Sequence, residues 1–259
     1  MRNQPRYRLA TAESLASGVQ LQLSGNEAHY LGHVLRLKPG DRIALFNATD
    51  GEFAATLADI GKKTLTVTVA ELLRAPEKGT GLIVCFAPIK GGRMETIIEK
   101  ATELGADVLQ PVLTNRSVVD KVNLERAGAI AREAAEQCER LSWPEIREPV
   151  KLLKLLGDWP AGVPLIYGDE SGQGTAITEW QTAARGASQP ASWGVLTGPE
   201  GGFAPEEFVA LGRQKAAHAV GLGPRILRAD TAVITLCVAT LMAWGDWHRA
   251  PRFMKETDA

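Results

Sequence analysis

Cysteine is scarce in this 259-residue chain: Cys85, Cys138 and Cys237 are odd in number and far apart. That pattern excludes a disulfide framework and a Cys-based zinc site, and it fits a reducing compartment. Histidine is almost as rare. His29, His33, His218 and His248 form neither HExxH nor a zinc finger, so no metal is expected. Charge of one sign is lacking too: 29 Lys and Arg stand against 30 Asp and Glu, a net charge of -1. This balance excludes a chain that coats nucleic acid by bulk charge, though not a local basic patch. Long apolar runs are missing as well. The longest uncharged stretch, Thr231 to Gly245, falls short of the ~20 residues that span a bilayer. The start of the chain, Met1 to Arg8, lacks the apolar core of a signal peptide, so a soluble, cytoplasmic protein with no membrane partner is expected.

What is present is an ordinary globular composition, 45% hydrophobic and 23% charged, with two kinds of periodicity. Up to about Leu73 the chain alternates with period two. Gly18–Leu23, Arg42–Phe46, Phe53–Leu57 and Thr64–Val69 read as strands around turns such as Lys38-Pro39-Gly40-Asp41. A helical turn from Glu27 to Leu35 interrupts them. A small β-barrel or antiparallel sheet is expected over 1–74, with nine basic against seven acidic residues up to Ala75. The polar, Pro- and Gly-bearing stretch Arg74 to Gly81 reads as a linker. From there strands and helices alternate. Leu82–Ala87, Val108–Leu113, Pro164–Tyr167, Trp193–Thr197 and Ala217–Leu222 are apolar runs. Helices are expected over Arg93–Leu104, Leu124–Arg140, from about Ala204, and over Asp230–Trp247, the last apolar nearly all round. Alternation of this kind implies an α/β layer with a parallel sheet over 75–259. Gly168 to Ser192, rich in Gly, Ser, Gln and Thr, reads as a surface excursion.

Two glycine-bearing turns each follow an apolar strand and precede a helix. They are Leu196-Thr197-Gly198-Pro199-Glu200-Gly201-Gly202-Phe203 and Gly221-Leu222-Gly223-Pro224-Arg225-Ile226-Leu227-Arg228. In an open α/β sheet ligands bind outside the carboxyl ends of the strands, so two such turns suit one pocket. Neither matches GxGxxG or the P-loop GxxxxGK[ST], which weakens dinucleotide and triphosphate readings.

GPEGG at 198–202 and LGPRILRADTA at 222–232 resemble the signature of the 16S rRNA (uracil-N3)-methyltransferases of the SPOUT superfamily. Lys90-Gly91-Gly92-Arg93-Met94-Glu95 through Gly105, Thr114–Val119, Glu136–Arg140 with Pro144-Glu145-Ile146, and HVLRLKPGD at 33–41 are similar too. The resemblance spans nearly the whole chain in the right order. It implies an α/β SPOUT domain with a parallel sheet and a C-terminal trefoil knot, plus an N-terminal PUA-like β-barrel for RNA. It also implies a homodimer through the knot domain and S-adenosylmethionine as cofactor. The implied substrate is 16S rRNA, within an assembled small ribosomal subunit. Other readings remain open: a SPOUT enzyme with another target, such as a ribose 2′-O of rRNA or tRNA, or a non-catalytic ribosome-assembly factor.

S-adenosylmethionine carries no phosphate and needs no P-loop lysine. Leu196, Thr197, Gly198, Pro199, Gly201, Gly202, Leu222, Gly223, Ile226, Leu227 and Arg228 are expected to hold it, largely through backbone. Methylating uracil N3 requires loss of a proton, so a cation for the uracil anion and a carboxylate for the proton are needed. Arg228 and Glu200 are the candidates. RNA contacts are expected from Arg6, Arg36, Lys38, Lys90, Arg93, Asn115, Arg116, Arg140 and Arg225. Asn115 stands where the family commonly has Glu, Glu139 where it has Gly, and Ala229-Asp230 where it has Thr-Glu.

Overall fold

The computed structural model describes Pro5 and residues 7–61 and 64–249, which divide into two compact units. The first contains the chain up to Lys78 together with Arg132–Trp143; the second contains Gly79–Ala131 and the chain from Pro144 onward.

In the first unit, strands β1 (Arg8–Ala10), β2 (Gln20–Ser24), β3 (Arg42–Asn47), β4 (Gly51–Ile60) and β5 (Thr64–Arg74) form a curled sheet ordered β1-β3-β4-β5-β2. All pairings are antiparallel except β1 with β3. The TLTVTV pattern of β5 does what period two dictates: Leu65, Val67 and Val69 are buried and Thr64, Thr66 and Thr68 lie outward. Those residues join Leu23, Ile43, Leu45 and Leu57 in one apolar cluster. Between β2 and β3 the short helix α1 (Gly25–His29) continues as a π-helical turn, Tyr30–Val34, where the sequence suggested a simple helical turn.

The first unit runs past the expected linker start at Arg74 and takes in the segment 132–143 as well. Hydrogen bonds explain why. The Arg8 guanidinium donates to the carbonyls of Ala135, Glu136 and Arg140, and Arg74 donates to that of Glu139. These groups cap the end of helix α3 (Leu124–Gln137), where unpaired carbonyls favour a cation. Trp143, a local peculiarity of the sequence, packs edge-on against Phe46 and beneath the Arg132 guanidinium.

The second unit is built on a parallel sheet. Its strands are β6 (Leu82–Phe86), β7 (Val108–Leu113), β8 (Glu145–Ile146), β9 (Val150–Lys151), β10 (Leu165–Gly168), β11 (Thr175–Ala176), β12 (Trp193–Thr197) and β13 (Ala217–Gly221). Their order is β11-β13-β10-β12-β6-β7-β8, with β9 also paired to β7. Helices α2 (Gly92–Glu103) and α5 (Ile177–Gly186) each pack against α7 (Ala229–Trp244), and α7 packs on β6, β10 and β12. Helices α4 (Leu152–Gly157) and α6 (Pro205–Arg213) pack together, and their Leu152, Leu155 and Leu211 join Cys85, Leu165, Tyr167 and Leu196 in a second core. The stretch 168–192 is therefore more than a surface excursion, since it holds β11 and α5.

Candidate functional site

Strands β13, β10 and β12 are neighbours in the sheet, and their carboxyl ends open into one cavity of about 250 Å³. This is the position at which open α/β sheets bind ligands. The turn after β12 supplies Thr197, Gly198, Pro199, Glu200 and Gly202; the turn after β13 supplies Leu222, Gly223, Arg225, Ile226 and Leu227. The two glycine turns thus meet around a single space. A third segment, Gly168, Asp169, Glu170 and Gly172 after β10, completes the wall and was not singled out from the sequence. Its signal was available: it follows an apolar run, Pro164–Tyr167, at the carboxyl end of a parallel strand.

Three residues expected at the cofactor do not line this cavity. Leu196 is fully buried because alternation along β12 turns it to the opposite face, into the core with Leu165 and Leu211. Gly201 lies against Arg116, whose guanidinium donates to the Gly201 carbonyl at 2.7 Å. Arg228 is the N-cap residue of α7, exposed beside the lining residues Leu227 and Ala229. Ile226 does line the mouth but is 93% exposed.

Local geometry explains the glycines. Gly202 has φ +68°, and a Cβ there would stand 2.1 Å from Oε1 of Glu170. That same oxygen accepts the Phe203 N–H at 3.1 Å, so Glu170 ties the end of β10 to the turn after β12. Gly223, at φ +99°, occupies the left-handed region that side chains avoid. The turn after β12 runs into α6, whose first-turn Glu207 is buried and accepts the N–H of Ala204 at 2.8 Å.

The ionisable residues lining the cavity are Asp169, Glu170, Glu200 and Arg225, an acidic set. Asp169 is buried and Glu200 pairs with Arg93 at 2.5 Å. Burial, and then the charges of Asp169 and Glu170, push the Tyr167 phenol above its ordinary value. An acidic wall repels phosphate and favours a phosphate-free or cationic ligand. Thr197, 3% exposed, has a buried hydroxyl with no hydrogen-bond partner among the described residues.

The residues expected at RNA divide between the units. Arg36, Lys38 and Arg140 belong to the first; Lys90, Arg93, Asn115, Arg116 and Arg225 belong to the second. Arg6 lies outside the described residues. Arg36 is exposed at φ 55°, an uncommon backbone state for a residue other than glycine. Asn115 is engaged within the protein: its N–H donates to Glu207 at 2.8 Å and its side-chain amide to Glu206 at 2.6 Å. Among the described residues no cluster of three or more His, Cys, Asp or Glu side chains is arranged to hold a metal ion, and no helix is long and apolar enough to cross a membrane.

Residues 76–241 match the family model of the RNA methyltransferase domain, and residues 23–70 match that of the RNA methyltransferase PUA domain. Ribosomal RNA small subunit methyltransferase E of Rickettsia conorii is 35% identical over 85% of this chain and 89% of its own length. The Synechocystis protein of that name is 34% identical over 87% of this chain and 74% of its own. Ribosomal RNA small subunit methyltransferase E of Neisseria gonorrhoeae, solved bound to S-adenosyl methionine, superposes with a TM-score of 0.82. It is 26% identical, covering 93% of this chain and 99% of that one. A Legionella pneumophila protein solved with bound S-adenosylmethionine gives a TM-score of 0.80 at 30% identity, over 92% of this chain and 97% of that one. With its catalytic-domain model matched over more than half its length and a relative 35% identical along most of it, the chain belongs to the ribosomal RNA small subunit methyltransferase E family.

Proposed function

We propose that this chain is an S-adenosylmethionine-dependent methyltransferase acting on N3 of one uridine in 16S rRNA, presented by an assembled small ribosomal subunit in the cytoplasm. The observation that carries this reading is the cavity: two glycine turns and an acidic segment at three adjacent strand ends, in a chain of this family. Its residues fit the cofactor. The turns at 197–202 and 222–227 bring bare backbone and the side chains of Leu222 and Leu227 to a flat purine, and the acidic wall tolerates its positive charge. When bound, S-adenosylmethionine supplies an electrophilic methyl group.

The chain's own residues prepare the other reactant. Uracil N3 lies on the pairing edge and must leave any base pair before it reacts. Its imide proton passes to the Glu200 carboxylate, which Arg93 holds in position at the cavity wall. The exposed guanidinium of Arg228 at the start of α7 stabilises the developing anion. Arg36, Lys38, Lys90, Arg116 and Arg225, all exposed, suit contacts to a folded RNA surface.

The family likeness also underlies a C-terminal trefoil knot and a homodimer through the knot domain. Support for the dimer comes from α5 and α7. Ile177, Ile234, Val238 and Met242 border an apolar groove there, and Met242 is 42% exposed. Sedimentation at micromolar protein should give a dimer, and a monomer would remove that part of the proposal. The activity itself is tested in a deletion strain by mass spectrometry of digested 16S rRNA. Loss of 3-methyluridine is expected; an unchanged signal would rule the assignment out.

A further inference from the structure

The turn between β12 and α6, residues 198–204, contains Gly198, Gly201 and Gly202. Glycine loses more conformational freedom on folding than any other residue, so such a turn keeps one shape only when contacts from outside hold it. One hold, Glu170 on the Phe203 N–H, comes from the cavity wall itself. A second comes from residues that do not line the cavity. The Glu207 carboxylate is 3% exposed and uses both of its oxygens on backbone. Its Oε2 accepts the Ala204 N–H at 2.8 Å, an ordinary contact of a helix's first turn. Its Oε1 reaches further, accepting the N–H of Asn115 at 2.8 Å, 92 residues away in the loop after β7. That loop returns a bond. Nη1 of Arg116 donates to the Gly201 carbonyl at 2.7 Å, and a Cβ on Gly201 would meet the Arg116 stem at 3.6 Å.

These contacts close a ring. It runs from Glu207 to Asn115, along the chain to Arg116, across to Gly201, along the turn to Ala204, and back to Glu207. The loop that carries it is itself tied, since the Thr114 N–H donates to Oγ of Ser117 at 3.0 Å. The ring thus fixes the turn at Gly201 and at Ala204, on either side of Gly202 and Phe203, to the end of a different strand. Arg116, an exposed cation expected at RNA from the sequence, has a task in the protein without RNA.

We infer that Arg116 and Glu207 are positioning residues for methyl transfer: from outside the cavity they set the shape of the turn that carries Glu200 and faces the cofactor. The inference rests on the reading of the cavity as the S-adenosylmethionine site. With the ring open, a ligand must order the glycine turn as it binds. That ordering lowers affinity, and it lowers the share of bound complexes with Glu200 in place.

Calorimetry of S-adenosylhomocysteine binding in the absence of RNA tests this, because a residue that only contacts RNA cannot affect it. Arg116→Ala leaves the core untouched and should weaken binding by about two- to tenfold, the net contribution of one hydrogen bond. Glu207→Gln keeps the size but only one acceptor oxygen, so one of its two bonds is lost and binding should weaken by a similar factor. The double variant should bind no worse than the weaker of the two single ones, because opening the ring once frees the turn. Arg116→Lys, which can still donate to Gly201, should recover most of the affinity. On assembled small subunits at saturating S-adenosylmethionine, Glu207→Gln should lower kcat and leave KM for the subunit within about twofold. Losses that multiply in the double variant would mean two separate contacts and overturn the inference. Unchanged affinity in folded Arg116→Ala and Glu207→Gln would do the same, leaving the pair to stability or RNA alone. So would a raised KM for the subunit with kcat unchanged in Glu207→Gln. If the unaltered chain binds no S-adenosylhomocysteine, the cofactor reading itself fails and the inference falls with it.

Discussion

Replacing Gly202 by alanine separates two physical effects in the turn that shapes the cavity. Gly202 sits at φ +68°, where an L-residue pays roughly 1–2 kcal/mol, offset by about 0.4–1 kcal/mol from a stiffer unfolded chain. The new methyl would also stand 2.1 Å from Oε1 of Glu170, so that carboxylate must swing away. The Phe203 N–H, on a residue 1% exposed, then loses its acceptor, a further cost of about 0.5–1.5 kcal/mol. Together these put Gly202→Ala at about 1–2.5 kcal/mol, or a melting point lowered by roughly 3–8 °C. Thermal melts of four proteins resolve the parts: unaltered, Gly202→Ala, Glu170→Ala and the double variant. Glu170→Ala alone should cost about the one hydrogen bond, whereas in the Gly202→Ala background it should cost almost nothing, because that bond is already gone. If Glu170→Ala costs the same in both backgrounds, the turn is not held through this contact. S-adenosylmethionine affinity should fall in Gly202→Ala with the stability.

Three further outcomes follow from packing and titration. Arg8→Ala should destabilise by about 1.5–3 kcal/mol, because Glu52, 1% exposed, loses its 2.6 Å partner and keeps the longer 3.6 Å pair with Arg74. Combining Arg8→Met with Glu52→Gln should recover part of that loss in urea unfolding, and no recovery would contradict the charge argument. Burial first, ahead of the opposing Ala10 hydrogen bond and Arg8 charge, raises the Glu136 carboxyl above 4.5. The neutral form is therefore favoured on folding, and the stability it brings is complete below 4.5 and lost as pH rises through the raised value. Glu136→Gln keeps the acceptor for Ala10 and should raise the melting point near pH 7 but not below 4.5; an equal gain at both would refute this. Burial pushes the thiols of Cys85 and Cys237 up to about 12, so a thiol-reactive reagent near pH 8 should spare both in native protein and label both after denaturation, and labelling of either in native protein would contradict this.

Much of this architecture is written locally. Val108–Leu113 and Trp193–Thr197 are strands with the bounds their apolar runs suggest, and the TLTVTV alternation of β5 sets which residues face the first unit's core. Helix α5 was hidden because, apart from Trp180 packed edge-on against Trp244, it docks through polar side chains. Gln181 and Arg185 donate to the Ala239 and Met242 carbonyls of α7, and Ala184 is its one buried residue. In sequence such residues look solvent-facing. Helix α4 is a six-residue Leu-rich turn, too short to set a period. At the site, the two glycine turns were legible because glycine before a helix marks special backbone. Asp169 was not, because a carboxylate after an apolar run looks like any polar loop until the strand order brings the end of β10 next to that of β12 at one cavity. Asn115 shows the same limit, its partners Glu206 and Glu207 being 91 and 92 residues away. The departure at 139 gains a physical meaning: Glu139 sits at φ 62°, where glycine is the residue without strain.

The opening balance of charge bears on how the substrate is met. With a net charge of -1, recognition must come from cations on a few loops and from the shape of the target rather than from bulk attraction. The most direct test is to incubate the protein with S-adenosylmethionine and either assembled small subunits or short naked RNA, then identify the methylated nucleoside by mass spectrometry. The account predicts 3-methyluridine in 16S rRNA, formed efficiently on the assembled subunit and poorly on the short RNA. A 2′-O-methylated product, no product, or equal methylation of a short oligonucleotide would contradict it.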